Sequence, residues 1–323
     1  MKIGIVKAKS EKEYRVALIP IAVKTLVERG HTVFVEHNAG IQSGYSDSEY
    51  IENRAMVGSR QDVLSQAELI IAVEGFDICK FNTHQIIVSY MALNQHQEIL
   101  KALIEKQCTA IDLEYLLPLQ QAMQEIIGRM LVQIASQHFF RQGMLVNSSH
   151  TLVIIGYNLP VARIALGIGM QVQMLDTNIE QLSYIEERFH SRIKTAYNNT
   201  YNVKKALSQA DLVIADASYI QYMKPESLLL TVLETMQVQL SYKKQETIHT
   251  SIQDVFVHVP KTSSLVLSQI LLPYIEKIAN EGLDAILQNN ELYESLLICL
   301  GQIANKQFAT KIGMDYMSPK III

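Results

Sequence analysis

Residues 151–165 read Thr-Leu-Val-Ile-Ile-Gly-Tyr-Asn-Leu-Pro-Val-Ala-Arg-Ile-Ala, and residues 171–176 read Gln-Val-Gln-Met-Leu-Asp. An apolar run leads into Gly156, a helical pattern follows, and a second apolar run ends in Asp176, about 20 residues after the glycine. This order of strand, helix, strand and acid is the outline of a βαβ unit that binds dinucleotides. The stretch therefore predicts a Rossmann-like unit with Gly156 and Asp176 as candidate cofactor-binding residues.

The turn after Gly156 departs from the pattern that a pyrophosphate requires. Further glycines are expected two and five positions after the first, and this chain has Asn158 and Val161 there. Tyr157 adds bulk to the turn, and Pro160 supplies no N–H group to an anion. We therefore expect pyrophosphate binding to be weak or absent, so that the stretch is a structural βαβ corner. The alternative is conventional pyrophosphate binding at this turn.

Asp176 has two candidate roles. It could accept hydrogen bonds from the adenine ribose of NAD, which would favour NAD over NADP. It could instead cap the helix predicted over residues 179–189, and a cap needs no nucleotide. The sequence leaves both roles open.

Length and composition indicate the class of protein. At 323 residues the chain exceeds one typical domain, so two domains are expected. With 49% hydrophobic and 19% charged residues, it is typical of a folded soluble protein. Lys and Arg are scattered and form no basic stripe with interleaved aromatics, so the sequence indicates no nucleic-acid partner.

The cysteines and the apolar runs indicate the compartment. Cys79, Cys108 and Cys299 are far apart and lack metal-ligand spacing, so we expect reduced thiols and no metal site. The first apolar run, residues 3–6, is too short for a signal peptide, and no apolar run is long enough to span a membrane. A cytoplasmic protein with no membrane partner is the expectation.

Strands and helices alternate along the chain, which favours an α/β class with doubly wound sheets. A long helix is predicted over residues 122–141 between two such parts. Predicted strands lie at residues 2–6, 31–36, 68–74, 85–90 and 109–114 in the first part, and at 151–155, 171–176, 211–215, 228–233 and 254–258 in the second. An amphipathic helix over 263–280, with Thr262 as a candidate cap, and helices near 283–303 complete the prediction.

Several motifs, spread along the whole chain in order, resemble those of the alanine dehydrogenase and transhydrogenase α-subunit family. They are Met1-Lys-Ile-Gly-Ile, Glu13-Tyr-Arg-Val-Ala-Leu-Ile-Pro20, Ser43-Gly-Tyr-Ser-Asp47, Leu175-Asp-Thr-Asn-Ile179, Met223-Lys-Pro225 and Val259-Pro-Lys-Thr-Ser263. Because the motifs are collinear with the family's, the chain is identified as a divergent member.

The resemblance implies two doubly wound Rossmann-like domains with a cleft between them. Residues 1–127 plus 262–323 would form the substrate-type domain, and residues 128–261 the nucleotide-binding-type domain. The implied activity is the oxidation of L-alanine to pyruvate and ammonia, with NAD as the cofactor and a small molecule as the ligand. Family members self-associate, so a homo-oligomer is expected.

The resemblance also assigns the substrate site. The family's carboxylate-binding arginine falls at Arg15, whose planar guanidinium suits a carboxylate. The family's lysine falls at Glu74, its histidine at Ala92 and its aspartate at Thr235, so three of the four groups are substituted.

Alternatives remain at each position. Arg15 could be a structural residue paired with an acid, and Glu74 a strand-end acid. His84 and His96 lie near Ala92 in sequence, but each fits a loop or a helix surface better than an acid–base role. Glu234 could replace Thr235 only with a shift of one residue in register, which turns a side chain to the other face.

The leading hypothesis is an alanine dehydrogenase-like protein without the usual L-alanine oxidation. It would be catalytically silent, bind another ligand or serve as an assembly partner. The alternative is an active NAD-dependent amino-acid dehydrogenase with rearranged residues.

Overall fold

A computed structural model describes residues 1–75, 81–232, 238–243, 247–252 and 255–322. The chain divides into two compact units. Residues 1–122 and 259–323 form unit 1, and residues 123–258 form unit 2. Each unit contains a sheet of mostly parallel strands connected by helices, so the predicted α/β class with two Rossmann-like units is confirmed.

The strands are numbered along the chain. They are β1 (Lys2–Ile5), β2 (Thr32–Glu36), β3 (Met56–Gly58), β4 (Leu69–Glu74), β5 (Ile86–Tyr90), β6 (Thr109–Asp112), β7 (Thr151–Ile155), β8 (Gln171–Asp176), β9 (Ile193–Tyr197), β10 (Leu212–Ile214), β11 (Leu228–Val232), β12 (Val238–Lys243), β13 (Thr247–Ile252), β14 (Leu296–Cys299) and β15 (Gln302–Ile303).

The α-helices are numbered in the same way. They are α1 (Pro20–Glu28), α2 (Asp47–Glu52), α3 (Arg60–Gln66), α4 (Gln97–Glu105), α5 (Leu117–Arg141), α6 (Leu159–Gly167), α7 (Ile179–Arg188), α8 (Thr200–Leu207), α9 (Pro260–Glu281), α10 (Asp284–Leu287), α11 (Asn290–Ser295), α12 (Lys306–Ile312) and α13 (Pro319–Ile322). None of these described helices is both long enough and apolar enough to cross a membrane.

The sheet of unit 1 has the strand order β15-β14-β6-β5-β4-β1-β2-β3. Strands β1 to β6 are parallel, and β14 joins β6 in the antiparallel sense. Strands β2 and β3 lie on one side of β1, and the chain then crosses to form β4 on the other side. Such a reversal of direction opens a crevice beyond the carboxyl ends of the two strands concerned, which here are β1 and β4.

The sheet of unit 2 has the order β13-β12-β11-β10-β7-β8-β9. Strands β7 to β11 are parallel, whereas β12 and β13 form an antiparallel hairpin at one edge. The direction of winding reverses between β7 and β10. The corresponding crevice therefore lies beyond the carboxyl end of β7, where the chain reaches Gly156.

Polar residues determine where several helices begin. Ser46 forms a reciprocal capping box with Glu49 at the start of α2. The predicted cap of α9, Thr262, is wrong because α9 begins earlier, at Pro260, and Val259 occupies the cap position without a side-chain bond. Proline at the first helical position explains the earlier start, since its φ angle already suits a helix.

Two other predictions are corrected. The strand predicted over residues 254–258 is wrong, because Val255–His258 forms a 3₁₀ helix with Phe256 buried; residue 254 lies outside the described residues. The region near 283–303 includes β14 and β15 in addition to helices. Short apolar runs suit a buried strand or a buried helix equally, so pairing with the sheet decides between them.

Candidate functional site

The carboxyl ends of β1, β4, β5 and β6 bring together residues that are far apart in sequence. Glu74 ends β4 and is the Cα partner of Tyr90, which ends β5. Asp112 ends β6, while Arg15 and Ala92 lie in the segments that follow β1 and β5. We call this set of five residues the unit 1 edge. The predicted positions of Arg15, Glu74 and Ala92 therefore share one edge of the sheet.

Arg15 is held by a buried acid. Its Nε lies 2.8 Å from Oε1 of Glu13, and its Nη2 lies 2.5 Å from Oε2. The Arg15 backbone N–H also donates to Oε1, at 2.8 Å. The two side chains are only 8% and 1% exposed, and the guanidinium carbon lies 5.8 Å from the centre of the Tyr90 ring. This two-point pair is the structural role that the sequence left open for Arg15.

Helix α9 fixes the segment that carries Arg15. The Val16 N–H donates to Ser264 Oγ at 3.0 Å, and the Ile19 N–H donates to Ser268 Oγ at 3.1 Å. Both serines are buried on α9. Because they satisfy backbone groups on the carboxyl side of Arg15, the segment has a defined path past the sheet.

Ala92 supplies no acid–base group, and its backbone is unusual. It has φ 45°, a left-handed conformation that is uncommon for a residue with a Cβ atom. Both nearby histidines are exposed. His84 precedes β5 and so lies at the opposite end of that strand, where its N–H donates to Lys106 O. His96 is exposed at the start of α4.

Asp112 is a residue of the unit 1 edge that the sequence analysis did not single out. It is 1% exposed. Its Oδ1 accepts hydrogen bonds from the N–H groups of Glu114 at 3.0 Å and Met91 at 3.4 Å. Within the described part of the chain, its Oδ2 has no hydrogen-bond partner. The sequence signal was an acid at the end of the apolar run Thr109-Ala-Ile-Asp112, at the carboxyl end of a predicted strand.

Burial alters the protonation of two groups at this edge. It raises the pKa of Asp112 to about 7, because the charged form loses its hydration. It raises the pKa of Tyr90 to about 12; the nearby Arg15 opposes this rise, and Asp112 and Glu13 add to it. Asp112 therefore changes charge near neutral pH while Tyr90 stays protonated.

In unit 2, the turn after β7 has the positive φ angle that glycine favours. The helix that follows, however, has two positions in its first turn without a free N–H group. Gly156 has φ 93°, and its N–H donates to Leu175 O at 2.8 Å. Asn158 caps α6 by accepting the Val161 N–H on its Oδ1 at 3.3 Å. Pro160 has no N–H group. Two positions in the first turn of α6 thus offer no free N–H to an anion.

Helix α5 packs directly against this turn. A Cβ atom on Gly128 would lie 2.7 Å from Pro160 Cβ and 3.0 Å from Val161 N, so only glycine fits there. Glu125 on α5 also forms an ion pair with Arg163 on α6, at 2.5 Å. The turn is therefore held in its capped form.

Asp176 lies half-exposed at the end of β8, beside the same turn. Its Oδ1 accepts the Asn178 N–H at 2.8 Å. The helix α7 is capped by Asn178, whose side chain accepts the Gln181 N–H at 3.1 Å. The prediction that Asp176 could itself cap this helix is wrong, because Asp176 shapes the turn before the cap. A role of Asp176 in binding ribose stays a prediction.

Three of the residues considered in the sequence, Thr235, Glu234 and Cys79, lie outside the described residues. Cys108 and Cys299 are buried free thiols, and burial raises the pKa of both. In the described ranges, no group of His, Cys, Asp and Glu side chains could hold a metal ion.

Comparisons with known proteins match both the first and the second part of the chain to the same family. Residues 4–130 match the family model for the alanine dehydrogenase/PNT N-terminal domain, and residues 151–306 match the model for its C-terminal domain. The chain is 29% identical over 366 residues to an alanine dehydrogenase of Methanococcus maripaludis, and the match covers 98% of each chain. Because that alignment is longer than the 323 residues of this chain, the relative has segments that this chain lacks.

Solved structures give the same result. An L-alanine dehydrogenase superposes with a TM-score of 0.83 at 28% identity, covering 97% of this chain and 99% of that chain. A transhydrogenase from Sinorhizobium meliloti superposes with a TM-score of 0.74 at 18% identity, covering 95% and 100%, and supports the fold alone. The two family models together match most of the sequence. The chain therefore belongs to the alanine dehydrogenase/PNT family.

Proposed function

We propose that this alanine dehydrogenase-like protein does not oxidise L-alanine and instead binds another small ligand at the unit 1 edge. The observation that carries the proposal is the position of Glu74 and Ala92, which the sheet brings to the same edge as Arg15. The resemblance places a lysine and a histidine at these two positions, so two of the groups that would act together with Arg15 are replaced.

The substitutions at the same edge act in the same direction. A carboxylate at Glu74, where the family has a lysine, would repel a substrate carboxylate about 4 Å away by roughly 1 kcal/mol in water and about 4 kcal/mol at intermediate dielectric. Ala92 cannot exchange a proton. Transition-state stabilisation depends on such groups acting together, so the loss of several removes most of the rate enhancement.

The turn after β7 and the end of β8 in unit 2 are where a nucleotide cofactor would bind. NAD is the cofactor expected from the family, and Gly156 and Asp176 are the residues that would hold it. The capped start of α6 and the packing of Gly128 against Pro160 argue for weak or absent binding. We also propose, from the family resemblance, a cytoplasmic location and self-association into a homo-oligomer.

An active NAD-dependent amino-acid dehydrogenase is the second candidate. Asp176 favours it, because this half-exposed acid lies at the strand end where a ribose-binding acid is expected. The near-complete coverage of alanine dehydrogenase relatives also favours it.

Stabilisation by NAD tests the cofactor part of the proposal. We expect millimolar NAD to raise the melting temperature by less than about 1 °C, because stabilisation grows as RT ln(1 + [L]/Kd) and is negligible while Kd exceeds the ligand concentration. Asp176→Ala is the matched variant and should behave identically. A rise of several degrees that Asp176→Ala abolishes would favour the dehydrogenase.

A further inference from the structure

The two carboxyl oxygens of Asp112 have different surroundings. Oδ1 is engaged by the backbone N–H groups of Met91 and Glu114, while Oδ2 has no partner among the described residues and the side chain is 1% exposed. Buried polar atoms are almost always hydrogen-bonded, and an orphaned acceptor carries a desolvation penalty. Such an oxygen at the carboxyl end of a parallel strand is suited to a donor that arrives with a ligand.

The backbone beside Asp112 has the strain that is common at functional sites. The Asp112 carboxyl interacts with the N–H groups of Met91 and Ala92, and Ala92 has φ 45°. A non-glycine residue keeps this conformation only where its surroundings hold it, and such positions cluster at ligand sites. The strained residue and the orphaned oxygen thus lie together, beyond the carboxyl ends of β5 and β6.

The charges at the unit 1 edge favour a cationic group over a carboxylate. Arg15 and Glu13 neutralise one another in their buried pair. Asp112 adds a buried carboxyl group whose Oδ2 has no hydrogen-bond partner among the described residues. A carboxylate ligand would meet like charge, whereas an ammonium group would donate hydrogen bonds to acceptors of opposite charge.

We propose that Oδ2 of Asp112 accepts a hydrogen bond from the ammonium group of a small primary amine that binds at the unit 1 edge. This inference rests on the proposed function, because it takes that edge as the ligand site. It goes further by assigning the class of ligand and the residue that recognises it. Binding is non-covalent and transfers no proton when Asp112 is already ionised.

The ionisation of Asp112 makes the binding depend on pH. Its pKa of about 7 means that roughly one tenth of the molecules carry the charged carboxylate at pH 6 and nine tenths at pH 8. Tyr90, Glu114 and Tyr115 are the titratable side chains that interact with it. Glu13, Arg15 and Glu74 in turn lie beside Tyr90. Burial raises the pKa of both Tyr90 and Tyr115, so neither phenol loses its proton in this interval.

Propylamine and propionate are suitable probes, because they have similar carbon chains and opposite charges. Saturation-transfer NMR with the full chain would give the affinity for each at pH 6 and pH 8. We expect propylamine to bind at least about tenfold more tightly than propionate at pH 8. Its affinity should fall about tenfold at pH 6, since propylamine stays protonated throughout, like a lysine side chain.

Two variants test the role of Asp112. Asp112→Asn should weaken propylamine binding at pH 8 at least tenfold and remove its pH dependence. Asp315→Asn changes an exposed acid of the same unit and should leave both unchanged. If Asp112→Asn does not fold, the pH series on the unaltered protein still decides the question.

Three results would overturn the inference. These are tighter binding of propionate, a propylamine affinity that does not change between pH 6 and pH 8, and no binding of either probe at high millimolar concentration. Turnover of L-alanine is measured separately, so the proposed function can survive when the amine inference fails. Propionate binding together with L-alanine turnover would remove both.

Discussion

Asp112→Asn is expected to make the stability of the protein less sensitive to pH. Burial raises the pKa of Asp112 to about 7 in the folded protein, whereas an unfolded aspartate has a pKa of about 3.9. Between these two values the folded state binds more protons than the unfolded state, so ionisation removes stability as pH rises. The asparagine variant lacks this penalty and should gain roughly 3 kcal/mol relative to the unaltered protein between pH 5 and pH 8.

Urea unfolding followed by circular dichroism at pH 5 and pH 8 measures this effect. The comparison between the two pH values cancels the constant effect of placing an amide at a buried position. Asp315→Asn, in an exposed segment of the same unit, is the control and should follow the unaltered protein at both pH values. If the unfolding free energies of Asp112→Asn and the unaltered protein change in parallel with pH, Asp112 is hydrated and has the pKa of an exposed aspartate.

Glu13→Gln is expected to destabilise the protein by about 3 kcal/mol, because removal of one partner from a buried ion pair leaves the other charge poorly compensated. Glu13 and Arg15 are 1% and 8% exposed, and their contact has two hydrogen bonds between side chains. An exposed pair would contribute at most about 1 kcal/mol. Chemical unfolding at pH 7 measures the difference.

Glu11→Gln is the matched control for this variant. Glu11 lies in the same segment but is exposed, so its loss should change the unfolding free energy by less than about 0.5 kcal/mol. Equal effects of the two substitutions would mean that Arg15 is not held by Glu13.

The sequence predicts the parts of the fold that depend on local pattern. The apolar run 151–155, the turn at Gly156 and the acid at Asp176 predict β7, α6 and β8 almost to the residue. The strand predicted over residues 68–74 likewise corresponds to β4, Leu69–Glu74. Hydrophobic period is a property of neighbouring residues, so it can be read without the tertiary structure.

Features that depend on tertiary pairing were missed or misassigned. The hairpin of β12 and β13 forms one edge of the unit 2 sheet. The pattern instead predicts the last strand over residues 254–258, where the structure has a 3₁₀ helix over Val255–His258. The apolar run of β14 suited a helix equally well until its pairing with β6 was known. Strand pairing joins residues that are distant in sequence, so the local pattern does not reveal which strands are neighbours.

At the candidate site, the sequence and the structure contribute different information. The resemblance identifies Arg15, Glu74 and Ala92 by position, and the sheet brings all three to one edge. The resemblance does not reveal that the Arg15 guanidinium donates two hydrogen bonds to Glu13, because such a pair is seen only in the side-chain geometry. Nor does it single out Asp112, whose importance comes from its burial and from the orphaned Oδ2 atom.

The most direct test of the account is the rate of NADH formation by the purified full chain with L-alanine and NAD at saturating concentrations. An active alanine dehydrogenase, such as the relative from Methanococcus maripaludis, serves as the positive control under identical conditions. The account predicts no NADH formation above the rate without protein, and none of the reverse reaction with pyruvate, ammonium and NADH. Turnover in the range of enzymes, on the order of 1 to 1000 per second, would contradict it.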